Sequence, residues 1–164
     1  MKNYLIAAVL IGAGATAVID IWGLVRKQAF GTPPMNFALV GRWLAYLPRG
    51  RFFHKPIAAS PAVRGELMIG WVAHYLIGMA FAAILLAIWG LDWARHPTVA
   101  PALIVGIVSV AAPFLLMQPG MGVGIAASRT PRPGTARLQS LINHTIFGLG
   151  LYATALVFSW LAGF

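Results

Sequence analysis

The sequence contains no cysteine and very few acidic residues. Its 164 residues include three acidic residues, and charged residues of both signs make up 9% of the chain. A soluble domain of this size has roughly a quarter of its residues charged, so a polar surface around a globular core is excluded. The absence of cysteine excludes disulfide bonds, thiol catalysis and thiolate metal ligands.

Apolar residues are abundant instead and make up 60% of the chain. A helix that crosses about 30 Å of hydrocarbon needs about 20 predominantly apolar residues. Four stretches meet this requirement, and they predict an all-α, integral membrane four-helix bundle forming a single membrane domain. The predicted spans lie at about residues 4–25, 67–91, 99–117 and 141–161.

The net charge of +9 raises the question of nucleic-acid binding. Seven basic residues lie between the first and second spans, three lie between the third and fourth, and Lys2 and Arg95 are the remaining two of the 12. Such a bias towards one side is typical of membrane proteins, whose cytoplasmic loops are basic. We therefore expect no nucleic-acid partner, cytoplasmic loops at about residues 26–66 and 118–140, and both termini on the periplasmic side of a bacterial inner membrane.

The first cytoplasmic loop contains a short amphipathic segment at residues 35–47. It is too short to span a bilayer and mixes large apolar residues with Arg42, which is typical of a helix lying in the membrane interface. Basic side chains in both loops are suited to anionic lipid headgroups, although a plain basic connection is an equal alternative. The headgroup-binding candidates are Arg42, Arg49, Arg51, Lys55, Arg129 and Arg132.

Three ionisable residues, Asp20, His74 and His144, lie inside predicted spans. Placing such a group in a bilayer costs roughly 2.5–3.5 kcal/mol on insertion scales, so each calls for an explanation. At about 1.5 Å per helical residue, they lie about 9, 12 and 10 Å from the cytoplasmic boundary, which predicts a single polar layer. The third span reaches this layer with Met117 and Gln118.

Each of these three residues also belongs to a stripe of small and polar residues. Residues four apart share a helix face, and small residues let helices approach closely in lipid. The side chains of the layer are therefore predicted to point into the bundle. The stripes are Gly12, Thr16 and Asp20; Glu66, Gly70, His74 and Gly78; and Ser140, His144, Gly148 and Tyr152.

Several chemistries suit this layer. Two imidazoles and a carboxylate, with thioethers nearby, form a transition-metal ligand set, and the same groups can relay protons. Two histidines could also ligate a haem, which the small-residue stripes disfavour because haem needs a wide gap. The ion-binding or proton-relay candidates are Asp20, His74, His144 and Gln118, and the metal candidates are Asp20, His74, His144, Met117 and Met121.

A purely structural hydrogen-bonded layer is the alternative to a functional one, because a buried Asp can pair with a His only to offset desolvation. Motifs of zinc proteases, nucleotide-binding loops and serine hydrolases do not occur in the sequence. A further segment, residues 118–129, carries glycines at alternate positions. It favours either a plain connector or a nest of backbone N–H groups that binds an anion.

Distinctive runs of residues extend along nearly the whole chain. They read GATAVIDIWGL, LVGRWLAYLPRGRF, RGE with GWVAHYLIG, FLLMQPGMGVGIAASRTP and NHTIFGLGLY. Together they resemble the bacterial inner-membrane family named domain of unknown function 2938. The resemblance implies a small prokaryotic membrane protein, and it implies no activity and no site residues.

The leading hypothesis is a non-enzymatic membrane protein that binds or conducts a small ion, either a metal or a proton. Asp20 would supply charge, the imidazoles would supply ligands or proton acceptors, and Met117 or Met121 would line the entry. The alternatives are a metal- or haem-dependent redox enzyme and a structural accessory subunit of a larger membrane complex. A homo-oligomer is expected if anything is conducted, because one small bundle encloses little space.

Overall fold

The structure, a computed structural model, describes residues 2–161, and its regular secondary structure in that range is all helical. Helices account for 79% of the residues, and no strand occurs within 2–161. The predicted all-α fold class is confirmed. The α-helices are α1 (Lys2–Phe30), α2 (Phe37–Tyr46), α3 (Glu66–Arg95), α4 (Val99–Val108), α5 (Gln118–Gly120) and α6 (Pro133–Leu161).

Four helical stretches are long and apolar enough to cross a membrane, as predicted. The first continues beyond its predicted end at residue 25 to Phe30, and the fourth begins at Pro133 rather than at residue 141. Both extensions carry basic residues. The helices can continue past the apolar runs because a helix satisfies its own backbone hydrogen bonds. The four stretches are Asn3–Phe30, Glu66–Arg95, Val99–Gly120 and Pro133–Leu161.

The third span is not a continuous α-helix. After α4 a turn follows at Ser109, and Pro113–Met117 forms a π-helical segment that leads into α5. Proline has no N–H and cannot bond to the carbonyl four residues earlier, here that of Ser109. The N–H of Phe114 donates to the Val110 carbonyl at 3.0 Å. The N–H of Gln118 donates to the Pro113 carbonyl, five residues back, which is the π-helical spacing.

The chain falls into two compact units. Of the described residues, 2–34, 75–109 and 142–161 belong to unit 1, and 35–74 and 110–141 belong to unit 2. The boundary in the third span coincides with the turn at Ser109. Each unit therefore combines segments that are distant in sequence.

Small residues bring the helices of unit 1 into backbone contact. A Cβ on Gly78 would lie 2.0 Å from Oγ1 of Thr16, and a Cβ on Gly106 would lie 2.5 Å from the Cα of Gly148. A Cβ on Gly12 would lie 2.4 Å from the Cα of Met79 in α3. The prediction that the stripes pack against neighbouring helices is confirmed for α1 with α3, and for α4 with α6.

Unit 2 contains the helix predicted in the first loop. Asn36 caps α2 by accepting a hydrogen bond from the N–H of Ala38 at 3.1 Å, as short polar side chains do at helix N-termini. A Cβ on Gly41 would lie 1.8 Å from the carbonyl oxygen of Glu66, and one on Gly70 would lie 1.9 Å from that of Phe37. Helix α2 therefore packs directly on the first turns of α3.

Candidate functional site

In unit 1, the carboxylate of Asp20 accepts a hydrogen bond from the hydroxyl of Tyr75 at 3.0 Å. The register of α1 against α3 explains this pairing. Thr16 meets Gly78 in the contact between the two helices. Because the helices are antiparallel, the residue one turn after Thr16 lies opposite the residues one turn before Gly78. A carboxylate and a phenol, two groups that can exchange protons, therefore meet in the contact between α1 and α3.

A second polar pair joins α6 to the third span. Nδ1 of His144 lies 2.7 Å from Oγ of Ser109, and the Ser109 hydroxyl donates to the Gly106 carbonyl at 2.6 Å. A serine hydroxyl has a single proton to donate. Since that proton goes to Gly106, we assign Nδ1 of His144 as the donor to Ser109. Nε2 of the neutral imidazole is then the unprotonated nitrogen, able to accept a proton.

Ser109 is therefore the residue of the third span that meets the His144 side chain in this hydrogen bond. The sequence predicted Met117 and Gln118 at this level. Sequence reasoning also missed Tyr75, although it follows His74 directly.

Three further polar atoms of unit 1 are buried without a hydrogen-bond partner among the described residues. They are Nε1 of Trp22, Nε of Arg26 and Oδ1 of Asn143. Buried polar atoms in proteins are almost always hydrogen-bonded, so these three need water or another polar ligand. Two of these residues could have been noticed in the sequence because they lie next to the ionisable candidates. Trp22 lies two residues after Asp20, and Asn143 directly precedes His144.

The remaining layer candidates lie in unit 2. The ring of His74 packs against that of Phe37 with centroids 4.5 Å apart, and against that of Trp71 at 5.9 Å. Gln118 follows the π-helical segment, and its Oε1 is buried with no partner within the described chain. Met117 is the last residue of that segment.

Within residues 2–161, no three His, Asp or Glu side chains form a group that could hold a metal ion. The metal set of Asp20, His74, His144, Met117 and Met121 stays a prediction. In the structure the carboxylate of Asp20 accepts a hydrogen bond from Tyr75, and Nδ1 of His144 contacts Ser109.

The hydrogen bonds of the glycine-rich segment favour the connector over the anion nest, because the first N–H groups of the segment are used within the protein. A Cβ on Gly122 would lie 2.4 Å from the carbonyl oxygen of His54, so this glycine permits close packing on the first loop. The N–H groups of His54 and Ile57 donate to carbonyls of the same segment, both at 2.9 Å. The N–H groups of Met121, Gly122 and Val123 donate to the carbonyls of Met117, Pro119 and Gln118, respectively.

Arg42 differs from the other headgroup candidates because its guanidinium group is hydrogen-bonded within the protein. It forms a bidentate ion pair with the Glu66 carboxylate, with both nitrogen–oxygen distances at 2.8 Å, and it also donates to the Ser60 carbonyl at 2.9 Å. The hydrogen bond to Glu66 raises the pKa of Arg42 above its ordinary value. The side chain is only 13% exposed, so Arg42 is not available to a lipid headgroup. The exposed candidates are Arg49, Arg51, Lys55, Arg129 and Arg132.

Comparison with known proteins places the chain in a family. The model of the family described as Protein of unknown function (DUF2938) matches residues 9–158. The chain belongs to this family. The match covers Asp20, His74 and His144 and the whole glycine-rich segment of this DUF2938 protein. No curated protein and no solved structure matches the chain.

Proposed function

We propose that this protein binds or conducts a small ion in the membrane and that the ion is a proton. One observation supports the proposal above all others. A carboxylate and an imidazole on different membrane-spanning helices, Asp20 and His144, are each hydrogen-bonded to a hydroxyl group. Intramembrane carboxylates and imidazoles are the groups from which proton relays in pumps and transporters are built.

Further support comes from the buried polar atoms of Trp22, Arg26 and Asn143, which have no partner among the described residues. Such atoms favour ordered water, which typically makes about three hydrogen bonds in protein interiors. Water between hydroxyl, carboxylate and imidazole groups would complete a route for protons. In this proposal Asp20 carries the charge, and Nε2 of His144 accepts and releases the proton.

A structural role is the second candidate. It is favoured by the same two hydrogen bonds, since each satisfies a polar group that would otherwise be costly in lipid. In that case the protein is an accessory subunit of a larger membrane complex. A metal- or haem-dependent redox protein would use the same layer residues, and elemental analysis with a visible spectrum of the purified protein tests this alternative.

We further propose that the protein lies in a bacterial inner membrane with both termini periplasmic. The basic loops support this orientation, because positive charge near spans is retained on the cytoplasmic side. If protons are conducted, a homo-oligomer is expected, because one bundle of 164 residues encloses little space.

Proton flux into proteoliposomes tests the proposal. Vesicles loaded with a pH-sensitive dye receive a potassium-driven membrane potential, and acidification is followed with and without the protein. We expect flux with the wild type, little flux with Asp20→Asn, and wild-type flux with the matched control Asp92→Asn, whose carboxylate is 87% exposed. Equal rates for the wild type, Asp20→Asn and empty vesicles would favour the structural role.

A further inference from the structure

A tight turn after α2 gathers two arginines over one aromatic ring. The N–H of Gly50 donates to the Leu47 carbonyl at 3.0 Å, and the N–H of Arg51 donates to the Tyr46 carbonyl at 3.2 Å. Gly50 has a φ of 73°, and these features define a Schellman turn, which requires the left-handed conformation that glycine adopts most easily. The turn reverses the chain between Arg49 and Arg51.

Both guanidinium groups therefore lie against Tyr46. Their central carbons are 5.4 Å (Arg49) and 5.2 Å (Arg51) from the ring centroid, within the range of a cation–π contact. The ring is itself fixed, because Tyr46 is 4% exposed and its hydroxyl donates to the Pro61 carbonyl at 3.0 Å. A stacked guanidinium keeps its N–H edge free for a phosphate, so the two arginines are held ready for an anion.

No acidic residue of unit 2 can neutralise this pair. The sequence of unit 2, residues 35–74 and 110–141, contains one acidic residue, Glu66. Glu66 accepts two hydrogen bonds from Arg42 and a third from the N–H of Val63, at 2.8 Å each. Within unit 2, no carboxylate is therefore left to pair with Arg49 and Arg51.

Two large apolar side chains lie beside the arginines and face outward. Phe52 is 55% exposed and Phe53 is 78% exposed. The chain between them and α2 is anchored, because Nε1 of Trp43 donates to the Phe52 carbonyl at 3.0 Å. Exposed aromatic residues beside cations are typical of surfaces that enter the boundary between headgroups and acyl chains.

We propose that residues 49–55 form a binding surface for an anionic phospholipid. The guanidinium groups of Arg49 and Arg51 bind the headgroup phosphate, Lys55 adds positive charge, and Phe52 and Phe53 contact the acyl chains. This proposal is independent of proton conduction, since none of these residues belongs to the polar pairs of unit 1.

Native mass spectrometry of the detergent-purified protein tests this surface. Phosphatidylglycerol and phosphatidylcholine with identical acyl chains are added separately, and the bound lipids are counted. We expect the double variant Arg49→Gln, Arg51→Gln to lower the affinity for phosphatidylglycerol about tenfold or more, since a basic residue near anionic lipid contributes about a factor of five. The affinity for phosphatidylcholine should be unchanged.

The matched control is the double variant Arg129→Gln, Arg132→Gln, which removes the same charge from the other basic loop. An equal loss of phosphatidylglycerol in this control would overturn the assignment to residues 49–55. Displacement of bound lipid by millimolar glycerol phosphate would indicate a site for soluble phosphate and would overturn the lipid assignment. If the glutamine variant fails to fold, Arg49→Lys, Arg51→Lys keeps the charge, and an affinity equal to that of the wild type would exclude the guanidinium contacts.

Discussion

The hydroxyl of Tyr75 donates to Oδ2 of Asp20 across 3.0 Å, although the two residues are 55 positions apart in the chain. The bond depends on the contact between α1 and α3, where Gly78 admits Thr16 against its backbone. Thr16 is 1% exposed, and its own hydroxyl donates back to the Gly12 carbonyl at 2.8 Å. The position of Asp20 thus depends on Thr16 and Gly12, which lie one and two helical turns before it.

The first prediction concerns the strength of this bond. Tyr75→Phe removes the donor and Asp20→Ala removes the acceptor, and a double-mutant cycle of the two should give a coupling of about 0.6 kcal/mol, with about 1.7 kcal/mol as the upper range for bonds between membrane helices. The free energy of unfolding is measured in detergent micelles or bicelles. Additive effects of the two substitutions would show that the two side chains are not coupled.

The second prediction concerns the tautomer of His144. Because Ser109 directs its proton to Gly106, the neutral imidazole should carry its hydrogen on Nδ1. Nitrogen-15 NMR of the histidine-labelled protein in lipid should show this tautomer, and Ser109→Ala should shift the population towards the Nε2–H form that is favoured in free imidazole side chains. His96→Gln removes an exposed histidine and assigns its signal. A wild-type His144 with the hydrogen on Nε2 would contradict the assignment.

The third prediction concerns the contact between α4 and α6. An alanine Cβ at position 106 would lie 2.5 Å from the Cα of Gly148 and 2.7 Å from the carbonyl oxygen of His144, and backbone atoms cannot move aside cheaply. Gly106→Ala should therefore cost about 1–3 kcal/mol, the usual range for overpacking. Thermal unfolding in detergent measures the loss.

The matched control for this substitution is Gly134→Ala. Gly134 is also helical, and a Cβ there meets nothing within 4 Å. Alanine has the higher helix propensity by about 1 kcal/mol, so this variant should be as stable as the wild type or more stable. Equal stability of the two alanine variants would mean that α4 and α6 do not touch at Gly106.

The four spans and the short loop helix could be predicted because each leaves a periodic or compositional signal. The stripe residues Gly12, Gly78 and Gly148 were also predictable, since small residues four apart imply a helix contact. The hydrogen-bond partners of His144 and Asp20 could not be predicted. Ser109 and Tyr75 are single polar residues in apolar runs, and their roles depend on the register between helices, which no one-dimensional pattern contains.

The turn around Gly50 illustrates the same limit in the loops. The sequence indicated a basic segment suited to headgroups, and it grouped Arg42 with Arg49 and Arg51. Only the packing of α2 on α3 separates them, because it brings Arg42 against Glu66 and leaves the other two over Tyr46. Charge composition predicts a basic surface, whereas the fold decides which charges are free to bind.

The last prediction concerns orientation in the membrane. Of the 12 basic residues, Lys2 and Arg95 are the two outside the loops that we place in the cytoplasm, so the charge bias is strong. The chain has no cysteine, and single cysteines can therefore be introduced without removing any. Variants at the exposed positions Ala58, His96 and Ser128 test both sides. In intact cells a membrane-impermeant maleimide should label the cysteine at position 96 and should reach the other two only after the inner membrane is permeabilised. Labelling of the cysteine at position 58 in intact cells would reverse the orientation and would place the surface at residues 49–55 on the periplasmic side.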